Sequence, residues 1–315
     1  MFRIGILMDP IEQVNFETDS TVSIIHELQH GNKIEYIHPN SLSYSSETLM
    51  ADLSVLKIDS LKNGGYKLEK KKKVNLNEMD CIFFRKDPPI NYSYIMTAQK
   101  LKKLEYQNTL VLNSPKSLLE FNEKVLGYDL SNPKVPTLLT SSLKDIEEFL
   151  DKNRDIVLKP TNLMAGKGII RLKSSEKSKI SIISSHINEH KMIIAQKYLS
   201  QIRNGDSRII IYDGIIEKKI LVRYPAKNDF RANLACGGTF EIKDLNKKYL
   251  PLLNKIASYL KYHNIFFAGV DMIDNYVTEI NITSPTGIQQ IGGNLATKIA
   301  NSLLQKIKTH HEYTK

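Results

Sequence analysis

The sequence predicts an α/β protein that begins with an open parallel sheet, and two observations carry that expectation. Residues 2–8, 80–84 and 109–112 are short, continuous apolar runs of the length of strands buried on both faces. Helical stretches separate them, and alternating strands and helices build a parallel sheet whose ligands collect beyond the carboxyl ends of its strands. The loops at Asp9-Pro10 and 85–89 stand at two such ends.

Each element has a local reason. The first strand stops at the Asp9-Pro10 turn, and Thr18-Asp19-Ser20 offers caps for a helix over 21–30. The second strand, around Cys81-Ile-Phe-Phe84, stops at Arg85-Lys86-Asp87-Pro88-Pro89, and the third at Asn113-Ser-Pro-Lys-Ser117. After about residue 121 the texture changes. A short helix over 143–150 follows a Ser141 or Ser142 cap. Strands over 155–159 and 168–172 flank the loop Pro160-Thr-Asn-Leu-Met-Ala-Gly-Lys167. A helix over 178–190 leads to a strand over 192–196 and then Lys197-Tyr198-Leu199. Strands 208–212 and 215–222 form a hairpin around Asp213-Gly214, a strong local hairpin signal. The helix over 251–263 has Leu252, Leu253, Ile256 and Leu260 on its apolar stripe. A C-terminal helix carries Ile288, Ile291, Leu295, Ile299 and Leu303, all read as core. There is no internal repeat and no long low-complexity linker.

Composition narrows the class. A chain of 315 residues, 41% apolar and 25% charged, reads as a soluble globular protein of two or more domains. No apolar run approaches the roughly 18 residues of a membrane span, and the first apolar run is too short for a signal peptide. Cys81 and Cys236 sit in no CxxC and near no histidine pair. They read as buried structural thiols, which argues against a disulfide framework or zinc site and fits a reducing cytoplasm. The net charge of +10 is spread along the chain, and its one dense run, 70–73, follows Asn63-Gly64-Gly65 as a solvated hairpin or loop. Nucleic acid is therefore not the expected partner; a positive cleft for phosphate-bearing or acidic small molecules would use the excess. His310-His311 read as part of a solvated tail.

Chemistry concentrates near the C-terminus, in Ala268-Gly-Val-Asp271-Met-Ile and Tyr276-Val-Thr-Glu279-Ile-Asn281-Ile-Thr-Ser284-Pro285-Thr286. These read as two strands around an Asp274-Asn275 turn, with Glu279 and Asn281 on one face. A two-residue turn pairs Ile273 with Tyr276 and sends Asp271 to the other face. A three-residue loop over 274–276 pairs Asp271 with Glu279, and this longer loop is the expectation. Two carboxylates and an amide oxygen on one face suit Mg²⁺, with phosphate oxygens completing its shell. Basic residues stand at strand ends or glycine-bearing loops: Lys124, Lys159, Arg208, Arg223 and Arg231. Lys159 precedes a loop with Gly166 and Gly168, where backbone amides can approach phosphates.

The order of these pieces is more specific than any one of them. It runs Asn122-Glu-Lys124, Val157-Leu-Lys159-Pro160, Ala195-Gln196-Lys-Tyr-Leu199, Gly205-Asp206-Ser-Arg208, Leu221-Val-Arg223-Tyr-Pro225, Arg231-Ala-Asn233, Gly269-Val-Asp271 and Thr278 to Thr286. This resembles the ATP-grasp superfamily and, within it, the bacterial glutathione synthetases. Gly5-Ile-Leu-Met8-Asp9-Pro10 and Phe84-Arg85-Lys86-Asp87-Pro88-Pro89 extend the likeness over nearly the whole chain. The resemblance implies an N-terminal α/β substrate domain over 1–121 and a two-lobed α+β ATP-grasp domain over 122–308. The small lobe would cover about 122–199, the C-terminal lobe about 200–308, and a tail 309–315.

The same resemblance implies roles. Lys124, Lys159, Gly166 and Gly168 would serve the ATP phosphates, Gln196, Lys197, Tyr198 and Leu199 the adenine, and Asp206 the ribose. Asp271, Glu279 and Asn281 would hold two Mg²⁺ ions, with Mn²⁺ able to substitute. Arg208 and Arg231 would face the transferring phosphoryl group. Arg85, Arg223, Asn233, Ser284, Pro285 and Thr286 would meet the peptide and the incoming glycine, with Asp19 and Ser20 toward the γ-glutamyl end. The implied activity is ATP-dependent joining of γ-glutamylcysteine to glycine in a cytoplasmic homo-oligomer, a tetramer by family habit. Alternatives are an ATP-grasp ligase of other specificity and a basic nucleic-acid-binding protein that has kept the fold. Three segments depart from the family pattern. Thr161-Asn-Leu-Met-Ala-Gly166 replaces Asp-Gly-Met-Gly-Gly, and 226–232 lacks its usual glycines. Gly287-Ile-Gln289-Gln290 replaces Cys-Ile-Arg-Glu.

Overall fold

The computed structural model describes residues 1–45 and 48–314. The first unit is built on β1 (Arg3–Leu7), β2 (Lys33–Ile37), β3 (Ser43–Tyr44), β4 (Leu49–Ser60), β5 (Gly65–Leu68), β6 (Lys72–Asn75), β7 (Cys81–Phe84) and β8 (Leu110–Leu112). The order is β3-β4-β2-β1-β7-β8, with β5 and β6 also on β4. β1 runs parallel to β2 and β7, and β7 parallel to β8, as the apolar runs imply. The sheet as a whole is mixed, because β4 lies antiparallel to β2 and carries β5 and β6 antiparallel as well. The lysine run 70–73 is exposed, and its last two residues start β6. Helices α1 (Ser20–Leu28), α2 (Tyr92–Lys102) and α3 (Pro115–Glu120) complete this unit. Asp19 caps α1, accepting from the backbone of Thr21 and Val22.

α4 (Glu123–Leu130) leads into a four-stranded antiparallel sheet of β9 (Thr137–Thr140), β10 (Asp155–Pro160), β11 (Ile170–Lys173) and β12 (Ile193–Lys197), in the order β11-β10-β12-β9. Helices α5 (Leu143–Asn153), capped by Ser142, and α6 (Lys179–His190) cover it. Ile146, Leu150, Ile156, Leu158, Ile183 and Ile193 form a core of their own here.

The last sheet comprises β13 (Asp206–Tyr212), β14 (Ile215–Ile216), β15 (Lys219–Tyr224), β16 (Thr239–Asp244), β17 (Phe267–Ile273) and β18 (Tyr276–Asn281). Its order is β16-β15-β13-β17-β18, with β14 continuing the Asp213-Gly214 hairpin. Helix α7 (Leu250–Tyr262) packs Leu253, Ile256 and Leu260 into the core, while Leu252 is only partly buried. The expected single C-terminal helix is two, α8 (Ile288–Ile291) and α9 (Leu295–Thr314), broken where Gly292 and Gly293 adopt φ of 69° and 64°. Helix α9 includes the segment expected as a tail. His311 stands 3.1 Å from Asp80, and His310 contacts the Asn108 carbonyl at 3.2 Å. Two large apolar clusters each draw on both the first unit and this last sheet, so the two share a core. Asn113 staples them, bonding the backbone of Phe267 in both directions and the carbonyl of Ile282.

Candidate active site

The β13, β15, β17 and β18 registers place charged side chains side by side. Asp206 is paired with Arg223, Arg208 with Asp271, and Asp271 with Glu279. Asp206 and Arg208 share a face of β13, as Glu279 and Asn281 share one of β18. The turn is the two-residue kind, with Ile273 opposite Tyr276, so the expected three-residue loop is wrong. Asp271 nevertheless faces Glu279, because a bulge at Thr278 takes up one residue between Val277 and Glu279. The Thr278 hydroxyl bonds the Asp271 carbonyl at 3.2 Å across this bulge.

These groups line a cavity of about 540 Å³ between the three sheets. Asp271 is buried and both its carboxylate oxygens are ion-paired. Arg208 donates from Nε at 2.5 Å and Nη2 at 2.8 Å, Arg223 lies at 3.0 Å, and Asn281 donates at 3.1 Å. Burial pulls its pKa upward, but Arg208 and Arg223 outweigh that and hold it at about 2. Asp206 also meets Arg223, at 2.5 Å. Gly269 is required here: a Cβ would come within 2.9 Å of Arg208 Cδ and 3.0 Å of Pro285 Cβ.

Two lysines face this acidic set. Lys124, at the start of α4, reaches the Leu163 carbonyl at 2.8 Å and Glu279 at 3.3 Å. Lys159, the next-to-last residue of β10, bonds Gln196 Oε1 at 2.8 Å. Burial lowers the Lys159 pKa, which Glu279 opposes and Lys124 reinforces. Beyond them Lys197, Tyr198 and Leu199 form one wall, with the Arg171 guanidinium 3.5 Å above the Tyr198 ring. Two loops close the top. Arg231 Nη1 donates to the Gly166 carbonyl at 3.0 Å, and a Cβ on Gly166 would strike Asn233. Arg231 lines the cavity but its charge is paired with Asp229 at 2.8 Å. Ala165 holds φ of 57°, a left-handed conformation that costs a non-glycine residue about 1–2 kcal/mol. Cys236 is half-buried, 3.8 Å from the Ala165 carbonyl, whereas Cys81 is fully buried and its thiol pushed up by burial.

Four expected contact residues do not line the cavity. Gly168 packs its backbone against Pro160 and His190. Asp19 is the α1 cap, and Ser20 is buried behind it. Arg85 is 2% exposed and holds the chain in place. It donates to Thr21 Oγ1 at 3.1 Å, the Thr283 carbonyl at 3.1 Å and the Pro285 carbonyl at 3.0 Å, over the Phe267 ring. Burial brings its pKa down to about 10, partly offset by Asp19 and Asp87. Ser284, Pro285 and Thr286 do line the cavity, Ser284 bonding Asp87 and the Thr286 carbonyl accepting from Arg208 at 3.0 Å.

The spacing of motifs missed four participants. Glu123 Oε1 accepts from Ile282 N at 2.7 Å, Thr283 N at 2.8 Å and Thr283 Oγ1 at 2.9 Å, which fixes the segment after Asn281. Burial, then Glu279, raises its pKa. Asp87, Asn15 and Gln290 line the far wall. Asp87, Glu123 and Gln290 had a signal, since they lie in the Arg85–Pro89, Asn122–Lys124 and Gly287–Gln290 segments; Asn15 had none.

Asp271, Glu279 and Asn281 supply hard oxygen donors, and the described residues contain no group of three His, Cys, Asp or Glu able to hold a metal alone. Two carboxylates and an amide oxygen in one cavity fit a Mg²⁺ ion that takes further oxygens from a phosphate ligand. No helix among the described residues is long and apolar enough to cross a membrane.

Comparison with known proteins agrees in extent with this layout. Residues 2–118 match the family described as prokaryotic glutathione synthetase, N-terminal domain, and 123–295 the prokaryotic glutathione synthetase, ATP-grasp domain. The chain is 36% identical over 313 residues to a glutathione synthetase of Wigglesworthia glossinidia brevipalpis, covering 98% of each chain. It is 34% identical over 311 residues to one of Vibrio vulnificus, also covering 98% of each. Among solved structures, D-cycloserine synthetase DcsG has a TM-score of 0.70 at 13% identity, over 97% of this chain and 99% of that one. D-alanyl-alanine synthetase A from Vibrio cholerae has a TM-score of 0.61 at 13% identity, over 98% and 99%. At such identity these two show the fold alone.

Proposed function

The chain belongs to the prokaryotic glutathione synthetase family, and from that premise we propose how its cavity joins γ-glutamylcysteine to glycine at the expense of ATP. One observation carries the reading: a single cavity gathers Lys124, Lys159, Arg208 and Arg223 around Asp271, Glu279 and Asn281, beside the Ser284–Thr286 backbone. A carboxylate is a poor electrophile, since an attacking amine would have to expel oxide. Phosphoryl transfer from ATP turns it into an acyl phosphate, and such transfer is mostly positioning and charge neutralisation. Bound Mg²⁺ would neutralise phosphate charge beside Asp271, Glu279 and Asn281.

Lys159 and Lys124 meet the phosphates, and Gln196 aims the Lys159 ammonium. Lys197, Tyr198 and Leu199 flank adenine, and Asp206 the ribose. Arg208 neutralises the transferring group and the oxyanion formed when glycine attacks, worth a few kcal/mol for such donors. Arg223 and Arg231 add positive charge, and Asn233 with the 284–286 segment borders the peptide. The 161–168 and 226–232 loops keep water from the acyl phosphate, their contact through Arg231 and Gly166 supporting that role. Residues 1–121 act as the substrate domain, and 122–308 carry the ATP site. Two Mg²⁺ ions, Mn²⁺ in their place, a cytoplasmic setting and a homotetramer belong to the same proposal and rest on the family resemblance.

The test is phosphate release with ATP and Mg²⁺, with γ-glutamylcysteine and glycine each present or omitted. Release that needs both, with tripeptide formed in equal amount, is the expected result. Release with the dipeptide absent, or none with any acceptor amino acid, would overturn the substrate assignment.

A further inference from the structure

The cavity is electrically lopsided. Its lining cations, from Lys124 to Arg231, all belong to the residues after 121. The wall given by the first unit and α8 offers Asn15, Thr18, Asp87 and Gln290, with one carboxylate and no cation. The nearest cations in sequence do not reach it: Arg85 is buried among backbone carbonyls, and Lys86 pairs with Asp9 at 2.5 Å.

Gln290 stands out on this wall. Its Oε1 is buried and has no hydrogen-bond partner, and a buried acceptor is normally satisfied. The amide nitrogen of the adjacent Gln289 is fully used: it donates to the Phe16 carbonyl at 2.8 Å and the Asp19 carbonyl at 2.9 Å. That bond ties α8 to the loop bearing Asn15 and Thr18, so the wall is a built surface. Asp87 accepts the Ser284 hydroxyl, and burial raises its pKa, which that hydrogen bond and Arg85 oppose.

We propose that Gln290 is a specificity-determining residue, whose side-chain carbonyl, in the same cavity lining as the Asp87 carboxylate, accepts a hydrogen bond from the α-ammonium of the γ-glutamyl group. The inference rests on the dipeptide reading above. The reacting carboxylate of the dipeptide goes to the cationic end, and the α-ammonium goes to the wall that has acceptors and no cation, where the amide of Asn15 and the hydroxyl of Thr18 are the donors left for the neighbouring α-carboxylate.

The experiment compares γ-glutamylcysteine with glutarylcysteine, which lacks only the α-amino group, in the intact enzyme and in Gln290→Leu and Gln290→Glu. The intact enzyme should show a KM for glutarylcysteine about tenfold above that for the dipeptide, the size of one lost hydrogen bond to a charged group. Gln290→Leu should raise the dipeptide KM by about the same factor and leave the glutarylcysteine KM within about twofold. Gln290→Glu, nearly isosteric, should keep or widen the preference for the dipeptide and carries the test if the leucine variant unfolds. Equal KM values in the intact enzyme would overturn the proposal. So would a parallel rise for both substrates in Gln290→Leu, or loss of the preference in Gln290→Glu, which would mean that the amide faces a carboxylate. Absence of any turnover of the dipeptide with glycine would overturn the ligase reading first, and this subsite with it.

Discussion

Gly127 offers a sharp test of how the site is positioned. It lies in α4 against the backbone of β18, and an added Cβ would stand 2.8 Å from Glu279 Cα, 3.0 Å from its N and 3.1 Å from its C. Carbon contacts settle at about 3.5–4.0 Å, so Gly127→Ala obliges α4 to back away by roughly 1 Å. The obstacle is a strand backbone hydrogen-bonded to β17, which cannot rotate aside. Alanine gains about 1 kcal/mol of helix propensity, and overpacking costs about 1–3 kcal/mol. The net loss is therefore small, about 1 kcal/mol, or roughly 2–4 °C in Tm for a chain of this size. The catalytic effect should be larger. Lys124 sits on the same helix 3.3 Å from Glu279, so the shift separates the lysine proposed to meet phosphate from the carboxylate proposed to hold the metal. A misplacement of about 1 Å can cost on the order of 100-fold, and kcat/KM for ATP should fall about 10–100-fold. Coupled phosphate release and thermal denaturation on the same preparation measure both. A variant with unchanged kcat/KM and an unchanged or higher Tm would refute the argument, because α4 would then not set the position of Lys124.

Four further outcomes follow from the geometry. Lys159 loses its proton more easily than an ordinary lysine, so kcat/KM for ATP, which reports the free enzyme, should fall as pH rises at a point below the usual lysine range near 10.4; Lys159→Arg should remove that limb from the pH profile. Ala165→Gly relieves the left-handed strain and should raise Tm by about 1–3 °C, for about 0.5–1 kcal/mol; a lower Tm contradicts the strain argument. Arg85→Lys cannot span Thr21, Thr283 and Pro285 together and should cost about 2–4 kcal/mol in denaturant titration, with the peptide KM raised and the ATP KM unchanged; full stability with a raised peptide KM would instead point to a substrate contact. The Asp271 carboxyl has a folded pKa of about 2 against 3.8 for the free side chain. Its ion pairs with Arg208 and Arg223 therefore add stability that is present above about pH 4 and lost as pH falls toward 2. Asp271→Asn should flatten that part of the acid-denaturation curve.

The sequence by itself determined the chemistry and much of the scaffold. Apolar runs marked β1, β7 and β8, Asp213-Gly214 marked its hairpin, and Asp19 and Ser142 marked helix starts, because these signals depend on neighbours only a few residues away. Lys124, Lys159, Arg208, Asp271, Glu279 and Asn281 were legible as a set through their order along the chain, which resembles the ATP-grasp pattern, and all line one cavity. The tertiary structure decided what each polar residue meets. Asp271 faces Glu279 through a bulge at Thr278, which spacing read as a longer turn, because one extra residue restores the same face wherever it is inserted. The strand β4 was missed, as its solvent-facing positions and antiparallel partners break the apolar run that marks a buried parallel strand. Arg85, Asp19 and Ser20 have the side chains of ligand-binding residues but spend their hydrogen bonds on, or lie buried against, other segments of the chain. Glu123 lies in the Asn122–Lys124 motif, but its role was hidden because the donors it holds, at 282 and 283, are far along the chain. A side chain's donor and acceptor groups are written in the sequence; whether they are left free for a ligand depends on which distant backbone arrives to occupy them.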